Sequence, residues 1–258
     1  MGLQCQSLSK TYQARKGAIR ALDDVTFRVN DEEFVCIVGP SGCGKTTLLK
    51  LIAGLLQPAA GRIRLDQDGT EARPHCALVF QEHGLFPWMT VVDNVAFGLE
   101  MQGVDRRERH NRARAFVGKM GLLPFANCYP HELSVGMSQR AGIARAFVAG
   151  APVLLMDEPF GSLDAQTKLV LQGELLRIWK DERKLVVYVT HDIEEAILLG
   201  DRVLVMTGRP GRIREDIPIP LVRPRDLTAR DAPHITRIKW HIWKILEDEV
   251  RKSLGMAR

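Results

Sequence analysis

"GPSGCGKTT", residues Gly39 to Thr47, is the stretch that decides the fold. Before it stands "EFVCIV" (Glu33 to Val38), an apolar run of strand length. After it, "KTTLLKLIAGLL" is helical in pattern and ends at Gln57-Pro58, because proline disfavours a helical residue before it. A buried strand, a glycine turn and a helix in that order are the setting of a P-loop, and Gly39, Gly44, Lys45 and Thr46 stand at its spacing. The glycines let backbone N–H groups turn toward phosphate oxygens, and the helix N-terminus adds partial positive charge. Lys45 is expected to reach the β- and γ-phosphates, and the Thr46 hydroxyl to ligate Mg²⁺. The cradle comprises Gly39, Pro40, Ser41, Gly42, Cys43, Gly44, Lys45, Thr46 and Thr47, with the Cys43 thiol expected to be reachable from solvent.

Further apolar runs follow: "CALVFQ" (Cys76 to Gln81), "PVLLMDE" (Pro152 to Glu158), "LVVYVT" (Leu185 to Thr190) and "RVLVM" (Arg202 to Met206). Short buried runs alternating with helical patterns indicate an α/β chain with a mainly parallel sheet. The first thirty residues alternate apolar and polar side chains, which predicts an antiparallel β subdomain. Between Asp93 and Ala149 helix formers dominate, as in "DRRERHNRARAFVGKMGL", so a helical subdomain is expected to be inserted there. Residues 233–258 form a separate C-terminal segment, with Ile235, Ile238, Ile242, Ile245 and Leu246 at helical spacing. "PIPLVRPRD" (Pro218 to Asp226) reads as its linker from a domain spanning residues 1–232.

The bulk numbers exclude little but point one way. Of 258 residues, 45% are hydrophobic and 26% charged, an ordinary globular composition, and the net charge is +5. Much of that charge falls in Arg106 to Arg114 and Arg209 to Arg230 and reads as solvated surface. Five cysteines (Cys5, Cys36, Cys43, Cys76, Cys128) form no CxxC pair, which favours reduced thiols over disulfides or zinc. No signal peptide and no membrane-spanning run is read, so any spanning must belong to other chains.

A P-loop alone leaves kinases, GTPases, helicases and transport ATPases open. The acid pair ending the "PVLLMDE" strand narrows the choice. Asp157 suits an outer-shell Mg²⁺ anchor, and Glu158 suits a general base on the attacking water.

With these residues in place, the chain resembles the ATP-binding subunit of ATP-binding-cassette (ABC) transporters, and within them the ATPases of nitrate, sulfonate and taurine importers. The stretches that carry the finer likeness are "VFQEHGLFPWMTVVDNVAFGLE", "FGSLDAQT" and "GRPGRIREDIPIPLVRPR". The resemblance implies that Tyr12 stacks on adenine, that Gln81 ligates Mg²⁺ and senses the γ-phosphate, and that Asp164, which by residue type alone reads as a helix N-cap, crosses a dimer interface. It implies that His191, which follows "LVVYVT", contacts the γ-phosphate; helix capping is the rival role. "LSVGMSQR" matches the signature motif, whose Ser134, Gly136 and Gln139 would meet ATP held on the other subunit. Two ATP molecules would then lie between head-to-tail copies in a homodimer. The apolar segment from Phe86 to Val92 would receive a membrane permease subunit, which in turn works with a periplasmic or lipoprotein solute-binding protein.

The resemblance thus implies an ATPase, using ATP and Mg²⁺, peripheral on the cytoplasmic face of the inner membrane. It would energise import of a small anionic solute and bind no nucleic acid. The rivals are a soluble or regulatory ABC ATPase uncoupled from transport, or one from an export or lipid-trafficking system. Val135 stands where the signature usually has glycine. A β-branched residue avoids positive φ, so Val135 is expected at ordinary negative φ with a usable N–H.

Overall fold

The computed structural model describes residues 2–14, 17–65, 76–80, 84–223, 225 and 233–253. Its elements in chain order are β1 (Leu3–Ala14), β2 (Gly17–Val29), β3 (Phe34–Val38), α1 (Lys45–Ile52), β4 (Ala60–Leu65) and β5 (Cys76–Val79). Then come α2 (Val91–Met101), α3 (Arg106–Lys119), α4 (Val135–Val148), β6 (Val153–Asp157), α5 (Ala165–Glu182) and β7 (Leu185–Thr190). The chain continues through α6 (Ile193–Leu199), β8 (Arg202–Met206), β9 (Ile213–Pro218) and α7 (Pro233–Ser253). Two compact units result, Met1–Pro74 with Lys184–Arg258, and His75–Arg183.

In the first unit β3 lies between β7 and β8, parallel to both, with Phe34 opposite Val186 and Val35 opposite Arg202. Every residue of β3 and β7 is buried, as expected of parallel strands covered on both faces. β9 closes this edge antiparallel to β8, and its sequence "IREDIP" protects the free side with charge and proline. A second sheet has the antiparallel order β2-β1-β4. Its register slips three times between β1 and β2, and Ser7 and Asp24 take left-handed φ values of 48° and 50°. Gly61, at φ 85°, passes so close to the Gln6 and Ser7 carbonyls that a side chain there would collide with backbone.

The arginines before α7 do not behave as solvated linker. The Arg225 side chain is only 1% exposed and donates to the Ile197, Leu198 and Gly200 carbonyls at 3.0, 2.9 and 2.6 Å. Arg223 donates to the Asp201 carboxylate at 2.8 Å and to the Leu199 carbonyl at 2.6 Å. These two guanidinium groups satisfy the orphan carbonyls ending α6. Burial, reinforced by the like charge of Arg223, lowers the Arg225 pKa to about 10. The expected linker is an anchor. Pro224 and Asp226 lie outside the described residues.

On α7, Ile235 and Ile242 are buried, while Trp240 and Trp243 stand exposed and edge-on to each other at 5.6 Å. Lys239 pairs with Glu194 of α6, and His241 meets the Glu215 carboxylate of β9 at 2.9 Å. The helix is thereby fixed to the first unit by polar ties as well as by its isoleucines.

In the second unit β5 and β6 run parallel, with Cys76 opposite Val153 and Val79 opposite Met156. β6 is wholly buried. β5 departs from expectation: it ends at Val79, and Cys76, Ala77 and Leu78 are only half-buried. The buried Asn94 amide of α2 orders the segment before it, accepting from the Phe86 N–H at 2.7 Å and donating to the Phe86 and Met89 carbonyls at 3.1 and 3.0 Å. Phe86 packs on Phe97 with ring centres 4.6 Å apart, leaving Trp88 69% exposed. Arg145 of α4 lies over the Phe86 ring and donates to the Gly84 carbonyl at 2.9 Å.

Candidate nucleotide site

β3 delivers the chain into the glycine turn at its C-terminal end, and α1 starts at Lys45. Gly42 and Gly44 both adopt left-handed φ, 74° and 108°, which turns the backbone inward. A Cβ on Gly44 would come within 2.7 Å of Leu22 Cδ2 and 3.0 Å of the Ala21 carbonyl, so glycine is required twice over. Lys45 is buried, 7% exposed, and its Nζ donates to the Gly39 carbonyl at 2.8 Å and the Pro40 carbonyl at 3.3 Å. An ammonium held under the loop by two carbonyls needs an anion to neutralise it.

α1 also begins without a side-chain cap. By contrast Thr90, Asp105, Ser134, Asp164 and Asp192 cap α2, α3, α4, α5 and α6. Orphan N–H groups at a helix start call for an acceptor, and phosphate supplies one. The fit to a nucleotide's phosphates therefore rests on the loop's own geometry.

Tyr12 of β1 is part-exposed at 37%, and its hydroxyl lies 3.3 Å from Thr47 Oγ1, beside the first turn of α1. Val38 pairs with Thr190, so His191 emerges next to the start of the glycine loop, on the crevice side of adjacent parallel strands. His191 is exposed and does not cap α6; the Asp192 carboxylate does, accepting from the Glu194 and Glu195 N–H groups at 2.9 and 3.1 Å. The first unit thus brings Tyr12, the cradle and His191 together.

Cys43 corrects an expectation. It is 1% exposed, and a Cβ built on Gly39 would stand 2.8 Å from its sulfur, so the thiol points beneath the loop rather than into solvent. Gly211 packs against the Cys43 carbonyl closely enough to exclude any side chain. Arg209, which the sequence reading did not single out, donates to the Gly42 carbonyl at 3.2 Å. Glu195 was missed too: this buried carboxylate accepts from the Tyr188 hydroxyl at 2.9 Å and from Thr190, and so fixes the strand end before His191. Nothing in its spacing marks it.

The second unit holds the remaining candidates. Asp157 ends β6 and is buried. Glu158 follows at φ 45°, a left-handed conformation rare outside glycine and often found where function demands it. Its carbonyl accepts from the Gly161 N–H at 3.1 Å. Ser134 caps α4, accepting from the Met137 N–H at 3.3 Å, and Val135 is the first helical residue, hence at negative φ as expected. Gln139 is buried. Asp164 caps α5, accepting from the Gln166 and Thr167 N–H groups at 3.1 and 3.0 Å. Hydrogen bonds, chiefly with Thr167, hold its carboxyl below the usual range. A Cβ on Gly136 would sit 3.4 Å from Thr167 Cγ2, so the starts of α4 and α5 face each other. Gln81 lies outside the described residues.

A parallel strand, a glycine loop with a buried lysine, and an uncapped helix start together define a phosphate-binding P-loop. Residues 22–161 match the ABC transporter family, and the chain belongs to it. It is 47% identical to the taurine import ATP-binding protein TauB of Rhizobium johnstonii, over 86% of this chain and 85% of that one. It is 44% identical to the nitrate import ATP-binding protein NrtD of Synechocystis sp., over 86% of this chain and 84% of that one. Among solved structures, a dimeric ATP-binding cassette in a post-hydrolysis state, bound to ADP and Pi, superposes with a TM-score of 0.74 at 32% identity. That likeness covers 85% of this chain and all of the other. The fold is that of an ABC cassette, and its activity is ATP hydrolysis.

Proposed function

We propose that this chain energises a membrane importer of a small anionic solute, of the nitrate, sulfonate or taurine class, through ATP-driven dimerisation. The observation that carries the ATPase part is the buried Lys45 ammonium beneath a glycine loop at an uncapped helix start. The import part is supported by the likeness to the taurine and nitrate import proteins.

In this reading Tyr12 stacks on adenine, Gly39 to Thr47 cradle the phosphates, and Lys45 neutralises the β- and γ-phosphates. Glu158 polarises the attacking water, while His191 and Gln81 contact the γ-phosphate. Ser134, Gly136, Gln139 and Asp164 serve the ATP of the opposite protomer. Mg²⁺ would be held by Thr46, Asp157 and Gln81, all oxygen donors of the kind this hard cation prefers. Phosphate oxygens of the nucleotide would complete the shell. When bound, the ion would supply positive charge beside the transferred phosphoryl group.

The exposed Trp88, standing on the Phe86 turn, supports docking to a permease there. No helix among the described residues is long and apolar enough to cross a membrane. The protein would then work at the cytoplasmic face of the membrane, held by permease subunits that receive solute from a binding protein.

The test is Mg²⁺-dependent ATP hydrolysis by the purified chain, with Glu158→Gln expected to slow turnover by about 10²-fold or more. The Gln variant should also accumulate an ATP-bound dimer on light scattering. Hydrolysis at the parent rate would remove Glu158 from the role of base. Isolation of the membrane complex and melting of its binding protein with candidate anions would identify the cargo.

A further inference from the structure

The hairpin joining β8 to β9, "TGRPGR" (Thr207 to Arg212), touches the glycine loop on one side and α7 on the other. Between hairpin and helix lies a cavity of about 430 Å³, within the range of small-ligand sites. Four cations line it, Arg209, Arg212, Arg214 and Lys252, against one carboxylate, Glu249.

That carboxylate is already satisfied. It accepts from the Gly208 N–H at 2.9 Å and from Lys252 Nζ at 2.8 Å, with Arg214 at 3.9 Å. Arg212 is paired with the buried carboxylate of Asp23. Arg209 has no carboxylate within ion-pairing distance among the described residues, and its contact is the neutral Gly42 carbonyl. The cavity is therefore left with excess positive charge, and guanidinium forks suit planar or tetrahedral oxyanions.

We propose that this cavity is a binding site for a small oxyanion, built from Arg209, Arg214 and Lys252, and that its occupancy is coupled to nucleotide binding. The coupling element is Arg209, one guanidinium shared between the cavity and the Gly42 carbonyl of the phosphate cradle. An anion drawing Arg209 toward the cavity weakens or reorients that bond, and linkage makes the effect reciprocal. The site also gives α7 a task, because Glu249 and Lys252 come from its last turns. The proposal does not depend on which solute is transported.

The chain is saturated with a non-hydrolysable ATP analogue, so that the cradle itself is filled. Sulfate, phosphate, nitrate and taurine are then titrated separately at constant ionic strength while backbone amide shifts are followed. The expected result is saturable shifts in Gly208, Arg209 and Gly42, with one of the four anions binding tightest and so identifying the ligand chemistry. Arg209→Ser and Arg214→Gln should each weaken that binding tenfold or more, their other amide shifts showing the fold intact. The analogue's affinity should differ at least twofold with and without the anion, and the anion's affinity should change by the same factor. Linear, unsaturable shifts, or unchanged affinity in both variants, would overturn the site. A coupling factor of one would overturn the link to the cradle.

Discussion

The Glu249 carboxylate of α7 accepts a 2.9 Å hydrogen bond from the Gly208 N–H, tying the C-terminal helix to the hairpin beside the glycine loop. Burial alone would raise the pKa of Glu249, but the bonds from Lys252 and Gly208 outweigh it and hold the carboxyl below its usual 4.5. A depressed carboxyl pKa stabilises the fold above about pH 4.5, and that contribution is lost as pH falls through the native value. The melting temperature of the parent is expected to drop more steeply below pH 4.5 than that of Glu249→Gln. Parallel pH profiles, measured by calorimetry from pH 6 to 3, would exclude this linkage.

Glu158 sits at φ 45°, where an L-residue incurs about 1–2 kcal/mol and glycine incurs almost none. Set against the roughly 0.5–1 kcal/mol entropy penalty of a new glycine, Glu158→Gly is expected to melt no lower than the parent. Its ATP turnover should nonetheless fall by about 10²-fold or more. A clearly lower melting temperature would mean that the side chain, rather than the activity, requires the left-handed backbone.

Val135 and Gly136 should differ sharply in how much substitution costs. Val135 is 48% exposed at the first position of α4, so Val135→Gly removes little packing, and ATP turnover is expected to stay within about twofold of the parent. At Gly136 a new Cβ already stands 3.4 Å from Thr167 Cγ2, and Gly136→Asp adds a carboxylate on the face assigned to phosphate. Steady-state turnover of that variant should drop at least tenfold.

The cysteines should separate by reactivity. Cys5, Cys36 and Cys43 are buried, and burial pushes the Cys76 thiol up to about 12, which leaves little thiolate to react. Cys128 is half-exposed and should take up N-ethylmaleimide first, as read by peptide mass spectrometry. Cys43 is expected to label only through local opening, and slower still with ATP bound.

Continuous apolar runs made β3, β6, β7 and β8 legible in the sequence, because strands covered on both faces carry no polar alternation. The glycine turn was equally clear, since its left-handed residues at 42 and 44 admit little else. Asp164 could be read as a helix cap from its residue type alone, and it is one. What escaped depended on distant partners. Arg223 and Arg225 look like linker residues until the carbonyls ending α6 are placed beside them. The direction of the Cys43 thiol follows from packing around the loop, including Gly211, a residue far along the chain. Glu195 is one acidic residue among several in "DIEEAILL", and only the fold buries it under Tyr188 and Thr190.

Among the described residues, α2, α3, α4, α5 and α6 each close their first turn with a side chain, and α1 does not. In the proposed function a bound nucleotide would therefore be a structural member as well as a substrate: its phosphate would cap a helix that no side chain caps. Amide exchange at the start of α1 should then report nucleotide occupancy directly, residue by residue, with no label attached.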